Sequence, residues 1–322
     1  MEKLKCASFF AGVGGIDLGF EQTGAFDVIF ANEFDEYAVK TYEENFDLKV
    51  KCEDINLVKN EEIPDFDVML AGFPCQAFSI AGYREGFDDK KGRGELFFQL
   101  ERIFKEKKPK IIFLENVKNL VSHDEGNTFK VILNSLEKAG YHVKYQVLNA
   151  KTYGNIPQNR ERIYIVGFRD KKLYEKFSFP EPIDLTVGLR NVIDFISKVD
   201  DKYYYTAEKY NESMMKILNT EITDNNAIYQ WRRKYVRKNM SGVCPTLTAN
   251  MGGGGHNVPL ILSDNGIRKL TPKECFNLQG FPKDFKFPKE MKDGRLYKQA
   301  GNSVVVTVIK RIADEIIRVL EE

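Results

Sequence analysis

Over residues 1–170, short apolar runs alternate with segments of helical spacing, and that alternation limits the fold more than any other property of the chain. "LKCASFF" (residues 4–10), "DVIFANE", "DVMLAGF", "KIIFLENV", "YHVKYQVLNA" and "RERIYIVGF" read as strands. Between them, "IDLGFEQTG", "EYAVKTYEENF", "GELFFQLERIFKEKKP" and "NTFKVILNSLEKAG" repeat apolar residues every three or four positions, as a helix with one buried face does. Such alternation predicts an α/β fold with a parallel or mostly parallel sheet covered on both faces. The pattern stops after Arg169. Residues 170–265 hold short, poorly periodic segments, a basic run and a glycine run. Regular spacing returns at "TPKECFNLQGFP", where Thr271 can cap a helix begun by Pro272. The last segment, "SVVVTVIKRIADEIIRVLEE", is an amphipathic helix that needs an apolar partner, and the first sheet is the natural one. The expected organisation is a domain of residues 1–170 plus 266–322 and a smaller, irregular, mostly β domain of residues 171–265.

Composition removes several function classes. The chain has 322 residues, 43% hydrophobic and 30% charged, and no apolar run near the ~20 residues that span a bilayer. The N-terminus lacks a signal-peptide pattern, so a cytoplasmic protein without membrane contact is expected. A net charge of +1 argues against a histone-like polycation but leaves room for a local basic face. The five cysteines are widely spaced with no C-x-x-C, and the three histidines are scattered. A disulfide framework or a metal centre is therefore not expected.

Strand ends carry the chemistry. In "FFAGVGG", Gly12, Gly14 and Gly15 allow a sharp turn and close approach to a ligand. The spacing is neither G-x-G-x-x-G nor G-x-x-x-x-G-K-[ST], which argues against a nicotinamide dehydrogenase. Glu33, at the next strand end, can accept hydrogen bonds from both ribose hydroxyls, and Asp54 in "CEDI" can meet an adenine amine. Acids without a phosphate loop suit S-adenosylmethionine better than a dinucleotide, although both can instead serve as helix N-caps. Glu115 in "FLENV" and Arg160 and Arg162 in "NRERIYIVGF" can be a structural ion pair or can line a pocket. Cys75, on the turn "GFPCQAFS", stands where a nucleophile would stand. Buried filler cysteines are commoner, but they sit inside strands.

The segments "FFAGVGG", "NEFD", "GFPCQAFS", "ENV", "QNRERIYIVGF", "RKLTPKECFNLQGFP" and "YKQAGNSV", in this order, make the chain resemble the bacterial DNA cytosine-5 methyltransferases. The resemblance covers residues 4–170 and 266–320 and matches the middle only loosely, at "PTLTANMGGGGHN". It implies a Rossmann-like methyltransferase sheet with a separate target-recognition domain. It implies that Cys75 attacks the 6-position of cytosine, Glu115 holds the ring nitrogen, Arg162 holds the ring carbonyl and Arg160 orders the site. S-adenosylmethionine, released as S-adenosylhomocysteine, would be held by Phe10, Gly12, Gly14, Glu33, Asp54, Ile55, Phe73, Pro74 and Asn302.

Duplex DNA is the implied partner. Gln76 and Ala81 lie in the stretch that would close over a base taken out of the helix. Arg232, Arg233 and Arg237 of "QWRRKYVRK" and Thr246 would contact DNA, with Trp231 and Tyr235 interleaved. A basic run of this kind is otherwise a solvated face. A monomer is expected, together with a cognate endonuclease acting separately. The same chemistry on tRNA, and a silent DNA-binding relative, remain alternatives.

Overall fold

The computed structural model describes residues 2–74, 96–232, 234–253 and 258–322. Four residues singled out above, Cys75, Gln76, Ala81 and Arg233, lie outside the described residues. The chain divides into two compact units. The first comprises Met1–Leu148, Glu161–Glu181 and Ile309–Glu322, and the second Asn149–Arg160 and Pro182–Val308.

A seven-stranded sheet organises the first unit. Its strands are β1 (Leu4–Phe9), β2 (Phe26–Glu33), β3 (Lys51–Cys52), β4 (Val68–Gly72), β5 (Ile111–Val117), β6 (His142–Asn149) and, beyond the two-residue β7 (Gln158–Asn159) of the second unit, β8 (Glu161–Phe168). Their order is β3-β2-β1-β4-β5-β8-β6. β1 runs parallel to β2 and β4, and β4 parallel to β5, whereas β8 is antiparallel to β5. The chain moves outward from β1 in one direction to β2 and in the other to β4. Ligands of open α/β sheets bind at such a switch point, at the carboxyl ends of the strands.

Helices α1 (Gly15–Glu21), α2 (Glu36–Glu43), α3 (Leu96–Lys107) and α4 (Asn127–Lys138) connect the strands. Asp35 starts α2 by accepting the Tyr37 amide at 3.0 Å. Val68, Met69, Leu70 and Ala71 of β4 are all fully buried, as a parallel strand covered on both faces requires. Met69, Leu100, Phe104, Ile112 and Ile165 share one core, each large side chain contributing roughly 1.5–3 kcal/mol. The terminal helix Val306–Glu321 finds its apolar partner here, with Ile309, Ile312, Ala313 and Ile316 fully buried. A Cβ on Gly19 of α1 would lie 2.6 Å from Cβ of Ile309, so glycine is what admits the helix.

In the second unit, β9 (Tyr229–Trp231), β10 (Val236–Lys238), β12 (Leu260–Ser263) and β13 (Gly266–Lys269) form a sheet in the order β10-β9-β12-β13, and β11 (Cys244–Pro245) pairs with β7. Residues 266–308 fall in this unit, whereas the sequence pattern groups them with the first domain. β13 pairs antiparallel with β12, Leu262 opposite Ile267, which ties them to the residues before them. Buried polar side chains hold much of the remainder. Gln158, fully buried, donates to the Leu278 carbonyl at 2.7 Å and accepts the Leu247 amide at 3.1 Å. Arg268, also fully buried, forms a two-pronged pair with Glu274 at 2.7 and 2.8 Å. Glu274 in turn accepts the amides of Asp194 and Thr271.

Candidate active site

Because β1, β2, β4 and β5 are parallel, the turns that follow them open on one edge of the sheet. β8 runs the opposite way, so its first residues reach that same edge.

The turn after β1 is conformationally unusual. Phe10 (φ 54°), Gly12 (57°) and Gly14 (82°) all lie in the left-handed region, uncommon for a phenylalanine. A Cβ on Gly14 would sit 2.4 Å from the Phe46 ring, so packing demands glycine there. A Cβ on Gly12 would meet nothing within 4 Å. The backbone angle, and close approach of a ligand, are what glycine provides at that position. Gly12 donates its amide to Glu33 Oε2 at 2.9 Å, and Phe34 and Asp35 donate theirs to Oε1 at 2.9 Å. Burial pushes the Glu33 carboxyl up, partly offset by the amides of Asp35, Gly12 and Phe34. Glu33 therefore joins the end of β2 to the glycine turn.

Beneath the turn lies a group the sequence reading passed over. Asp17 is fully buried in α1 and accepts hydrogen bonds from the Ser8 hydroxyl (2.6 Å) and the Tyr42 hydroxyl (2.8 Å). Burial raises its carboxyl to about 6. The signal was an acid inside the apolar stretch "GIDLGF", which reads equally well as a solvent-facing helix position.

The segment after β3 carries Asp54 and Ile55. Asn32 holds its start, donating to the carbonyls of Lys51 (2.9 Å) and Glu53 (2.8 Å). Asp54 is exposed, and its Oδ1 accepts from Asn56 N and Nδ2, both at 2.9 Å. Ile55 is buried in the first unit's core. Two large apolar side chains, Phe34 and Leu57, are 70% and 65% exposed beside Glu33 and Asp54. No sequence signal marked either one.

At the next strand ends, Gly72 of β4 pairs with Glu115 of β5. Asn116 donates its side-chain amide to the Phe73 carbonyl at 2.8 Å and accepts the Val117 amide at 2.8 Å. Asn116 thereby fixes the backbone just before Pro74, while the buried Phe73 ring packs 5.7 Å from that of Phe97. Val117 pairs with Arg162 across the β5–β8 ladder, so Glu115 and Arg162 are diagonal neighbours on one face. Glu115 Oε1 lies 3.2 Å from Arg162 Nε, with both side chains nearly buried. Phe10, Gly12, Gly14, Glu33, Asp54, Ile55, Phe73, Pro74, Glu115 and Arg162 thus all belong to the first unit, around the strand ends.

The remaining expected residues belong to the second unit. Arg160 is buried and donates to the carbonyls of Leu247 (2.8 Å), Gly301 (3.1 Å) and Ser303. Its guanidinium holds backbone. Asn302 ends the helix Asp293–Asn302 and is exposed. The preceding Gly301 packs so tightly that a Cβ would lie 2.1 Å from the Thr248 carbonyl carbon. Thr246 donates its hydroxyl to the Asn159 carbonyl at 2.6 Å. Arg232 and Arg237 are exposed, as is Tyr235. Trp231 corrects an expectation. It is 6% exposed and packs in the core of the small sheet, because alternate residues of β9 turn inward with Tyr229. Among the described residues no cluster of His, Cys, Asp or Glu is arranged to hold a metal ion.

The donor set fits S-adenosylmethionine: a left-handed glycine turn, a carboxylate at a strand end, a second acid nearby, and exposed apolar side chains beside both. Comparison with known proteins agrees. The family of C-5 cytosine-specific DNA methylases matches residues 4–318. The type II methyltransferase M.Bsp6I of Bacillus sp. (strain RFL6) is 61% identical over 313 residues, covering 97% of this chain and 98% of that protein. M.HhaI of Haemophilus parahaemolyticus is 39% identical over 316 residues, covering 96% and 93%. Among solved structures, the Dnmt2 methyltransferase of S. pombe superposes with a TM-score of 0.76 at 17% identity over 99% of this chain and 100% of that one, a likeness of fold alone. The chain belongs to the family of C-5 cytosine-specific DNA methylases.

Proposed function

We propose that this DNA cytosine-5 methyltransferase modifies a cytosine turned out of a short duplex sequence, through a covalent adduct with Cys75. The Glu115–Arg162 pair carries this conclusion. It brings an acid and a planar cation to the strand end next to Phe73 and Pro74, which lead directly into Cys75. The 5-position of cytosine is a weak nucleophile. Addition of the Cys75 thiolate to the 6-position, with a proton shared between Glu115 and the ring nitrogen, turns the neighbouring carbon into an enamine. Arg162 holds the ring carbonyl oxygen and, by its pairing, orients the Glu115 carboxyl. S-adenosylmethionine, when bound, supplies an electrophilic methyl group. Loss of the 5-proton then expels the thiolate and restores the ring.

Glu33 holds the cofactor's ribose hydroxyls, the turn at Gly12 and Gly14 lets the cofactor approach the backbone closely, and Asp54 receives its adenine amine. Among the described residues Asp54 Oδ2 takes part in no hydrogen bond. Phe10, Ile55, Phe73 and Pro74 complete the pocket, and no metal takes part. Arg160 acts by ordering backbone. Residues 171–265 supply target recognition, with Arg232, Arg233, Arg237 and Thr246 on the DNA backbone and Gln76 and Ala81 near the extruded base. The enzyme acts as a monomer and protects DNA from a separate endonuclease.

The test uses labelled S-adenosylmethionine, duplex DNA and, as the competing substrate, tRNA. Cys75→Ser should lower transfer to DNA by at least about 10³-fold while DNA binding persists. DNA carrying 5-fluorocytosine should trap a covalent complex with the unaltered enzyme. Full activity in the variant, or preferred labelling of tRNA, would overturn the proposal.

A further inference from the structure

We propose that Arg102 is a positioning residue for the cofactor's adenine, acting through the Asp54–Val58 segment. The inference rests on Asp54 as the adenine contact.

That segment has little structure of its own. Leu57 donates its amide to the Asp54 carbonyl at 2.8 Å, closing one turn, and the carbonyls of Ile55 and Val58 receive no backbone amide among the described residues. Asn32 secures the approach, at Lys51 and Glu53. Beyond Asp54 the brace comes from 42 to 47 residues away in sequence, from α3. Arg102 Nη2 donates to the Val58 carbonyl at 2.8 Å and, at the limit of a hydrogen bond, to the Ile55 carbonyl at 3.5 Å. Nη1 donates to the Asn60 side chain, and Nε to Gln99 at 2.9 Å, which keeps the guanidinium plane fixed.

A planar fork suits this task, because one rigid cation satisfies two carbonyls of the loop and the side chain of Asn60, which opens the short helical turn Asn60–Glu62. The positions of the buried Ile55 and Val58 then set where the Asp54 carboxyl stands. Arg102 shares α3 with Leu100, Ile103 and Phe104, all fully buried, so the helix that carries it is anchored in the core. A surface ion pair would not need this geometry. Glu61 acts on Arg102 through its charge and receives no hydrogen bond from it among the described residues.

Lysine at this position keeps the charge but cannot bridge the two carbonyls and Asn60. Arg102→Ala should therefore weaken binding of S-adenosylhomocysteine about tenfold, or ~1.4 kcal/mol, and Arg102→Lys should restore less than half of that. Affinity for duplex DNA should stay within twofold in both. The decisive readout is discrimination between S-adenosylhomocysteine and its inosine analogue, whose ring carries a carbonyl in place of the amine. Titration calorimetry on the full chain should show that Arg102→Ala lowers this ratio, and that the same substitution made in Asp54→Ala lowers affinity less than twofold further. Thermal unfolding is recorded alongside, and Arg102→Gln stands in if the alanine variant does not fold. An unchanged discrimination ratio, full rescue by lysine, or equal losses of DNA and cofactor affinity would reduce Arg102 to a structural role and overturn the inference. If Asp54→Ala alone leaves affinity and discrimination unchanged, the adenine role of Asp54 fails first, and the inference with it. If Asp54→Ala weakens binding and Arg102→Ala adds to it in full, only the inference fails.

Discussion

The two units handle buried charge in opposite ways. In the first, apolar strands do the folding, and polar groups collect at the ends where the backbone pairing runs out. Glu33 and Glu115 sit at the last or near-last positions of β2 and β5, and neither belongs to the apolar core. In the second, regular structure is sparse, and buried polar side chains take the place of a backbone ladder. Gln158, Arg160 and Arg268 each reach carbonyls far away in sequence, Arg268 that of Asp194. Charge at the sheet edge is available for chemistry because the fold does not depend on it. Charge inside the second unit is consumed by folding.

That contrast can be broken by substitution, beginning with the largest effect. Glu115→Gln should lower methyl transfer about 10²–10⁴-fold with little change in the unfolding midpoint. A comparable fall in stability would mean that the Glu115–Arg162 pair is structural. Arg268→Ala should do the reverse. It strands the buried Glu274 carboxylate and should cost about 3–5 kcal/mol in denaturant unfolding, whereas a loss under ~1 kcal/mol would show that the second unit does not depend on its polar core.

Asp17 sharpens the comparison, being a fully buried acid in the first unit that touches neither strand-end pair. Its native value, about 6, lies above the ~3.9 of an unfolded chain, so the native state holds the proton more tightly. Stability from that proton is present below about pH 4 and lost as pH rises to about 6. Above that, the buried carboxylate costs up to about 3 kcal/mol. The stability of the natural protein relative to Asp17→Asn should therefore fall from pH 4 to pH 7, and a flat difference would show that Asp17 stays ionised throughout. Smallest is Glu33→Ala. It should weaken binding of S-adenosylhomocysteine about tenfold, read by calorimetry, and unchanged affinity would refute its ribose role.

Much of the first unit was legible because it obeys local rules. Continuous apolar strands, helical spacing and a glycine turn leave a pattern within about ten residues. The placement of Glu33, Glu115 and Arg162 was legible for the same reason, as polar residues where an apolar run begins or ends. The partners of those residues were not. Asn116 reaches back 43 positions to Phe73, and Ser8 and Tyr42 meet at Asp17 only after three elements have packed. The second unit was least legible. Arg160 reaches Leu247 and Gly301 across 87 and 141 positions, and side-chain-to-carbonyl bonds of that span leave no period. Trp231 misled because a single tryptophan beside arginines resembles a DNA-contacting aromatic. Only the alternation along β9 assigns it to the interior.

The antiparallel pairing of β5 with β8 makes the Glu115–Arg162 contact a matter of counting. Both residues share a face only while Val117 stands opposite Arg162. Inserting or deleting one residue between Ile111 and Val117 would send either the acid or the arginine through to the other side of the sheet. Substitutions elsewhere in these strands can be absorbed by repacking, but a change in length cannot. Natural relatives and engineered variants that keep the chemistry are thus expected to tolerate altered spelling in this pair of strands, and no altered length.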